Sequence, residues 1–133
     1  MTSLTRQYRF SASHRLHSRA LSDQANRDTY GKCNNPHGHG HDYILRVTAT
    51  GHTDPDTGVL LAVPQLDALV EREVLGHVRD RNLNDWGAFG DLVPTTESLA
   101  AVVHRLLAAA WAGPPITSVK VLETRRNSVE SRA

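Results

Sequence analysis

The sequence predicts an α+β fold in which an antiparallel sheet carries two helices on one face. Two observations favour this class: three strand-like segments precede both helical segments, and one further strand-like segment follows them. Strands that run together before the helices are typical of a sheet whose helices are segregated to one side. A chain of 133 residues has room for one well-packed core. We therefore expect a single domain over residues 1–133.

Three segments in the first half of the chain predict strands. Residues 7–13 alternate loosely between apolar and polar types, and residues 41–50 are rich in β-branched and aromatic types. The short apolar run Val59–Val63 follows a turn at Thr53–Gly58, which predicts the second arm of a hairpin. Residues 17–36 predict a long polar loop that can include a short helical turn. A loop of that length in a compact domain is usually functional.

The second half of the chain predicts two amphipathic helices and a last strand. The first helix begins near Pro64, and its buried stripe consists of Leu66, Leu69, Val70 and Val74. The second can be capped by Thr95 or Thr96, and Glu97 suits the positive end of its dipole. Its buried stripe consists of Leu99, Val102, Val103 and Leu106. Ile116–Thr124 predicts the last strand.

Composition argues against several functional classes. The net charge is +1 and the chain has no basic stripe with interleaved aromatic residues, so we expect no nucleic-acid partner. We expect no membrane partner, because the longest apolar run is too short to span a bilayer. The absence of an apolar secretory signal and the single cysteine, Cys33, favour a cytoplasmic protein without a disulfide framework.

Histidine is the anomaly in the composition, and it points to a metal site. The chain has eight histidines, and five lie close together in sequence: His14, His17, His37, His39 and His41. His39 and His41 would share one face of a strand, and His14 on another strand could add a third nitrogen. Three protein ligands with an open fourth position are typical of catalytic zinc. The spacing does not exclude His37, and Cys33 could complete a closed site or stand beside the metal as a reactive thiolate.

Two segments carry a resemblance to a known family. The segment from Phe10 (FSASHRLH) and the segment from Tyr30 (YGKCNNPHGHGHDY) resemble the 6-pyruvoyl-tetrahydropterin synthase family. That family includes the bacterial 6-carboxytetrahydropterin synthases of queuosine biosynthesis. Further matches follow in the same order along the chain, at Asp54–Gly58, Asn82–Asp85, Pro94–Glu97 and Val121–Thr124. The resemblance therefore covers nearly the whole sequence.

The resemblance implies a fold, an assembly and a metal. The fold is the tunnelling fold (T-fold), in which subunits build trimeric barrels that stack into a homo-hexamer with active sites between subunits. This agrees with the predicted sheet, whose uncovered face and edges need a partner. The resemblance also implies a zinc ion held by His14, His39 and His41, with His37 and His39 as the alternative pair.

The resemblance further implies a reaction and the residues that perform it. The substrate of the family is 7,8-dihydroneopterin triphosphate, which implies a zinc-dependent carbon–oxygen lyase that eliminates triphosphate. The residue at the Cys33 position takes and returns a proton. Glu123 matches a buried glutamate that grips the pterin through two parallel hydrogen bonds. Thr95, Thr96 and Glu97 match a segment that lines the pterin pocket.

The sequence departs from the family at the residues that relay protons to the cysteine. The family carries an aspartate and a histidine shortly before the Asn82–Asp85 motif, and Arg79 and Asp80 stand in those places here. Asp80 is therefore the candidate relay residue, and His77 is an alternative. Arginine cannot accept a proton, and an aspartate facing Cys33 would raise the pKa of the thiol.

Because of this departure, three functions stay open at the level of sequence. The first is an active lyase with a 6-pyruvoyl or a 6-carboxy pterin product. The second is an enzyme of altered chemistry, such as an aldolase-like removal of the side chain from dihydroneopterin. The third is a non-catalytic homologue that binds pterin or metal.

Overall fold

A five-stranded sheet organises the chain in the computed structural model, which describes all residues from Met1 to Ala133. Its strands are β1 (Thr2–His14), β2 (His39–Gly51), β3 (Arg81–Asn82), β4 (Ile116–Leu122) and β5 (Ser128–Arg132). They lie side by side in the order β3-β1-β2-β4-β5. All neighbours are antiparallel except β1 and β3, which pair in parallel over two residues.

The long pair β1 and β2 forms the centre of the sheet. Every residue of β1 has a partner in β2, and this register places His14 opposite His39. Phe10 and Tyr43 stack on the covered face with their ring centroids 5.0 Å apart. Because side chains alternate along a strand, this face also receives His41. The pairing therefore gathers the histidines of both strands at one end of the sheet.

Two helical segments cover one face of the sheet, as the sequence predicted. The first consists of α2 (Val63–Val70), a π-helical turn (Glu71–Leu75) and α3 (Gly76–Val78). The second is α4 (Thr96–Ala110), and both contribute to one hydrophobic core with the sheet. No helix of the structure has both the length and the hydrophobicity that crossing a bilayer requires.

The prediction of a strand at Val59–Val63 is wrong. This run leads directly into α2, which begins at Val63 with Pro64 in its first turn. Leu61 is buried against the core, which explains the apolar character of the run without any strand partner. Short apolar runs do not distinguish a strand from other buried segments by periodicity alone.

The segment 17–36, predicted as a loop with a short helical turn, contains more helix than expected and positions the cysteine. It contains α1 (Asp23–Tyr30) and a 3₁₀ turn (Gly31–Asn34) that carries Cys33. The Leu16 amide donates to the Cys33 carbonyl at 2.7 Å, and the buried Asn34 side chain donates to the Leu16 carbonyl at 2.7 Å. These bonds hold Cys33 against the end of β1.

Candidate active site

Four chemically active side chains converge where β1, β2 and β4 meet the ordered loop. They are His14, Cys33, His41 and Glu123, and their ligand atoms all lie within 4.8 Å of one another. We call this group the convergent cluster. A histidine, thiol and carboxylate set of this kind offers the nitrogen, sulfur and oxygen donors that zinc accepts. The four residues could therefore hold a metal ion.

His14 is the residue best prepared to bind a metal. Its side chain is buried, and its Nδ1 donates to the Pro94 carbonyl oxygen at 2.9 Å. This bond fixes the proton on Nδ1, so Nε2 carries a free electron pair. That Nε2 is the one buried side-chain polar atom without a hydrogen-bond partner. Burial lowers the pKa of His14, which favours the neutral ring that metal binding requires.

His41 lies between the carboxylate and the thiol of the cluster. Its Nε2 is 3.3 Å from Glu123 Oε1 and 3.9 Å from Cys33 Sγ. Burial lowers the pKa of His41, although the Glu123 charge opposes this effect. Thr96 donates its hydroxyl hydrogen to the other oxygen of Glu123. The carboxylate is thus held in place from two sides.

The surroundings of Cys33 disfavour its thiolate form. Burial raises the pKa of Cys33, and the negative charge of Glu123 raises it further. A free cysteine already has a pKa above 8, so the thiolate is a minor species at pH 7. The residue therefore has a proton to give and needs a nearby cation or base before it can take one.

His39 stands at the margin of the convergent cluster. Its ring centroid is 4.7 Å from that of His41, and the two rings are nearly perpendicular. The side chain is exposed, and its nitrogens are not among the four groups of the cluster. His37 is also exposed and does not join the cluster. The structure therefore brings two of the three predicted zinc histidines together and leaves the third beside them.

Comparison with known proteins decides the family. The 6-pyruvoyl tetrahydropterin synthase family model matches residues 3–133. The chain belongs to this family. It is 41% identical over 130 residues to the 6-pyruvoyl tetrahydrobiopterin synthase of Poecilia reticulata, a match that covers 97% of this chain and 88% of that protein. It is 40% identical over 127 residues to the Homo sapiens protein of the same name, covering 95% and 88%.

A solved structure confirms the fold of this 6-pyruvoyl tetrahydropterin synthase family member. The Caenorhabditis elegans 6-pyruvoyl tetrahydropterin synthase superposes with a TM-score of 0.93 at 36% identity, covering 99% of this chain and 95% of that one. The α+β T-fold prediction and the family resemblance are thus both confirmed.

The residues of the family segment Pro94–Glu97 have different roles in the structure. Thr95 caps α4 by accepting from the Ser98 amide at 3.1 Å, and the buried Thr96 reaches Glu123. Glu97 is exposed in the first turn of α4, where a carboxylate also suits the helix dipole. Of the three residues predicted to line the pterin pocket, only Thr96 contacts the convergent cluster directly.

The residues at the family's relay positions lie away from the cluster within one chain. Asp80 lines a cavity with Ser11 and Asp42, whose exposed side chains alternate with the covered ones. Asp80 is exposed and is not among the four residues of the cluster, although His41 also lines this cavity. His77 stacks on Trp86 with centroids 5.9 Å apart and is also outside the cluster.

Sequence reasoning missed two groups that organise this family member's site. One is the Pro94 carbonyl, which orients His14, and the other is Asn34, which ties the cysteine turn to β1. The Pro94 carbonyl could not be predicted, because every residue has a backbone carbonyl and the side-chain pattern does not show which one accepts a hydrogen bond. The only available signal for Asn34 was its position next to Cys33 within the family motif.

Proposed function

We propose that the chain is a zinc-dependent 6-pyruvoyl- or 6-carboxytetrahydropterin synthase that eliminates triphosphate from 7,8-dihydroneopterin triphosphate. The observation that carries this proposal is the convergent cluster, with its unpartnered His14 Nε2, in a chain of this family. Two relatives at about 40% identity are named 6-pyruvoyl tetrahydrobiopterin synthase. The proposed reaction class is that of a carbon–oxygen lyase.

The proposed zinc ligands are His14, His39 and His41. His14 offers the free electron pair of Nε2, and the perpendicular rings of His39 and His41 lie side by side. When bound, zinc would act as a Lewis acid on the hydroxyl groups of the substrate side chain. Cys33 and Glu123 are the alternative donors, because they complete the cluster without His39.

Glu123 and Thr96 are the proposed pterin-binding groups. The Glu123 carboxylate can accept two parallel hydrogen bonds from the amino and ring N–H groups of a pterin. The Thr96 hydroxyl, which donates to Oε2, fixes the plane of that carboxylate. Thr95 and Glu97 would line the same pocket from the start of α4.

Cys33 is the proposed acid–base group. In this proposal its thiol, which the 3₁₀ turn of the ordered loop holds 3.9 Å from His41 Nε2, gives and takes the proton of the substrate side chain. Asp80 is the proposed relay residue, and it would have to reach the thiol from another subunit. The proposed assembly is accordingly a cytoplasmic homo-hexamer with active sites between subunits.

The test is an assay of triphosphate release by zinc-loaded protein, with Cys33→Ala beside it. We expect release from the unmodified protein and loss of release in the variant. The mass of the product separates the 6-pyruvoyl from the 6-carboxy reaction. An unmodified protein that binds pterin but releases no triphosphate would contradict the proposed activity.

The positions of Arg79 and Asp80 favour a second candidate function. Without the family's relay histidine, the chain could remove the side chain of dihydroneopterin in an aldolase-like reaction or bind pterin without turnover. The same assay distinguishes these functions. An aldolase-like enzyme breaks a carbon–carbon bond of the side chain and yields a pterin with a shortened side chain and a released aldehyde, and a binding protein returns the pterin unchanged.

A further inference from the structure

His17 belongs to the five histidines that lie close together in sequence, yet it is not part of the convergent cluster. It follows the end of β1, and its side chain is half-buried. Its ring forms one hydrogen bond within the chain, in which Nδ1 lies 3.0 Å from the side-chain nitrogen Nδ2 of Asn34. Asn34 is buried and is the sequence neighbour of Cys33. The His17 ring therefore contacts the 3₁₀ turn that carries the cysteine, which we call the cysteine turn.

A second hydrogen bond of the Asn34 amide fixes which group donates and which accepts. Asn34 Nδ2 also donates to the Leu16 carbonyl at 2.7 Å. A carbonyl oxygen only accepts, so the end of the amide that faces both Leu16 and His17 is its NH₂ group. Rotating the amide by half a turn would place its oxygen against the Leu16 carbonyl. His17 Nδ1 is therefore an acceptor, and the neutral ring carries its proton on Nε2.

These bonds are part of the attachment of the cysteine turn to the end of β1. The Leu16 amide donates to the Cys33 carbonyl at 2.7 Å, and Arg15 Nε donates to the Asn34 carbonyl at 3.3 Å. The Asn34 side chain adds its two bonds, to the Leu16 carbonyl and to His17. Of these two acceptors, only His17 Nδ1 belongs to a side chain. A substitution can therefore remove it without changing the backbone.

Loss of the His17 acceptor would leave one amide hydrogen of the buried Asn34 side chain without a partner. A buried donor without a partner costs free energy, so the amide gains by turning toward another acceptor or solvent. One planar group makes both bonds, and this movement therefore also weakens the bond to Leu16. Cys33 is the next residue in the turn, and its Sγ lies 3.9 Å from His41 Nε2. A displaced turn thus changes the position of the thiol in the convergent cluster.

We propose that His17 is a positioning residue: its Nδ1 fixes the Asn34 amide, and that amide holds the Cys33 thiol beside His41. The proposal deepens the proposed function, and it rests on that function wherever turnover is measured. The proposed pterin-binding carboxylate of Glu123 is held by Thr96 and not by the cysteine turn. His17 therefore acts on the position of the acid–base group and leaves the binding of the pterin unchanged.

The first measurement needs no substrate. Cys33 is the only cysteine of the chain, so its alkylation by iodoacetamide, followed by mass spectrometry on the zinc-loaded protein, reports on the cysteine turn alone. His17→Phe keeps a ring without an acceptor, and His17→Ala removes the acceptor where a phenylalanine ring does not fit. His17→Asn keeps an acceptor, because its Oδ1 takes the place of Nδ1. His52→Phe is the matched control, since His52 is exposed and follows the other end of β2.

We expect Cys33 to be alkylated about five- to tenfold faster in His17→Phe and His17→Ala, as for the loss of one hydrogen bond, because a released turn exposes the half-buried thiol. His17→Asn and His52→Phe should stay within about twofold of the unmodified protein, since both keep the bond from Asn34. In the assay of triphosphate release, His17→Phe and His17→Ala should lower kcat with KM unchanged, and His17→Asn should restore kcat. Thermal unfolding of the same samples shows that the variants are folded.

Unchanged alkylation in both His17→Phe and His17→Ala would overturn the positioning role. A His17→Asn protein that reacts as fast as these two variants would also overturn it, because the restored acceptor would then have no effect. An equal rise in His52→Phe would do the same. The proposed function fails separately: if no protein releases triphosphate while the alkylation rates differ as expected, the positioning of Cys33 stands and the lyase activity does not.

Discussion

His14 carries the clearest metal-binding signature in the chain, since its buried Nε2 has no partner and its Nδ1 is committed to the Pro94 carbonyl. A buried nitrogen of this kind costs free energy unless a ligand satisfies it. The sequence placed His14 in a zinc site only through the second strand's histidines and the family resemblance. The structure supplies an independent physical reason for the same residue.

The two possible ligand sets give different results on mutation. Removing a residue that only hydrogen-bonds to a metal ligand typically weakens metal binding about 10–100-fold. If three histidines hold the zinc, His14→Ala and His39→Ala each remove a ligand, and each should weaken zinc binding by more than that. Glu123→Gln and the exposed control His37→Ala should keep one tightly bound zinc. Competition with a chromogenic chelator measures the affinities. Zinc lost in Glu123→Gln but kept in His39→Ala would assign the metal to the convergent cluster instead.

Asp80 combines an unusual backbone with a candidate catalytic role. It is the one non-glycine residue with positive φ, at 58°, and its amide donates to the Ser11 carbonyl at 2.7 Å. Asparagine and glycine tolerate this left-handed conformation, whereas most other residues are strained in it. Substitutions at this position can therefore separate the carboxylate from the conformation.

We expect Asp80→Asn to fold normally and to lower kcat by about a hundredfold with little change in KM, as for the loss of an acid–base group. Steady-state kinetics of triphosphate release, with thermal unfolding on the same samples, measures both quantities. Asp80→Gly is the conformational control and should be at least as stable as the unmodified protein. Full activity in Asp80→Asn would show that the Asp80 carboxylate has no catalytic role and that the position matters only for its left-handed backbone conformation.

The start of α4 joins helix stability to the active site. Thr95 accepts from the Ser98 amide, and the next residue, Thr96, donates to Glu123. Thr95→Ala should lower the free energy of unfolding by about 1 kcal/mol, which is typical for a lost N-cap. Urea unfolding measures the change, and Thr95→Ser, which keeps the hydroxyl, is the control. An unchanged stability in Thr95→Ala would mean that the cap contributes nothing.

The strand β1 is tied to the helix α2 by a polar group whose effect depends on pH. Asp67 accepts from Arg6 Nη2 at 2.7 Å, from Arg6 Nε at 3.0 Å and from the Tyr8 hydroxyl at 2.7 Å. The bonds from Arg6 hold the pKa of Asp67 below its usual value. The Asp67 side chain is 35% exposed, so solvent screening limits the contribution to less than about 1 kcal/mol.

The pKa of Asp67 is about 4 in the unfolded chain and lower in the folded protein. Its carboxylate therefore stabilises the fold fully when the pH is above about 4, and this stabilisation is lost as the pH falls through the folded pKa. Asp67→Asn should therefore reduce the free energy of unfolding at pH 7, and the difference should shrink below about pH 4. Urea titrations at pH 7 and pH 3 test this. Asp56→Asn in the exposed turn is the control, and a difference that persists undiminished at pH 3 would contradict the electrostatic origin.

The elements that the sequence predicts well are the helices, in which apolar residues recur at helical spacing over several turns. The stripes beginning at Leu66 and Leu99 predicted both covering helices. Both stripes are buried except for Leu106, which is only partly buried, while its neighbour Leu107 is fully buried. Strand β5 was missed because its residues are polar and only partly buried, and β3 because it has two residues. Glu123 lies at the end of the last predicted strand, where a surface carboxylate is common, and only the family resemblance and the contact with Thr96 distinguish it.

The molecule as a whole presents one sheet face without a helical cover. Pairs of hydroxyl groups lie across it, such as Ser3 with Thr50 and Thr5 with Thr48, each 2.7 Å apart. Strand β5 is also left as an exposed edge, and open edges favour association. We expect light scattering after gel filtration to give about six times the 14.6 kDa mass of one chain. A monomeric mass would contradict the proposed hexamer.

The exposed position of Asp80, outside the convergent cluster, makes shared active sites testable. If Asp80 of one subunit serves Cys33 of another, Cys33→Ala and Asp80→Asn each remove one half of a shared site. Mixed oligomers from co-expressed, differently tagged variants should regain activity, because some sites then combine an intact thiol with an intact carboxylate. Cys33 and Glu123 converge within one chain, so co-expressed Cys33→Ala and Glu123→Gln should stay inactive. Mixed Cys33→Ala and Asp80→Asn oligomers without recovered activity would show that Asp80 does not act across a subunit boundary.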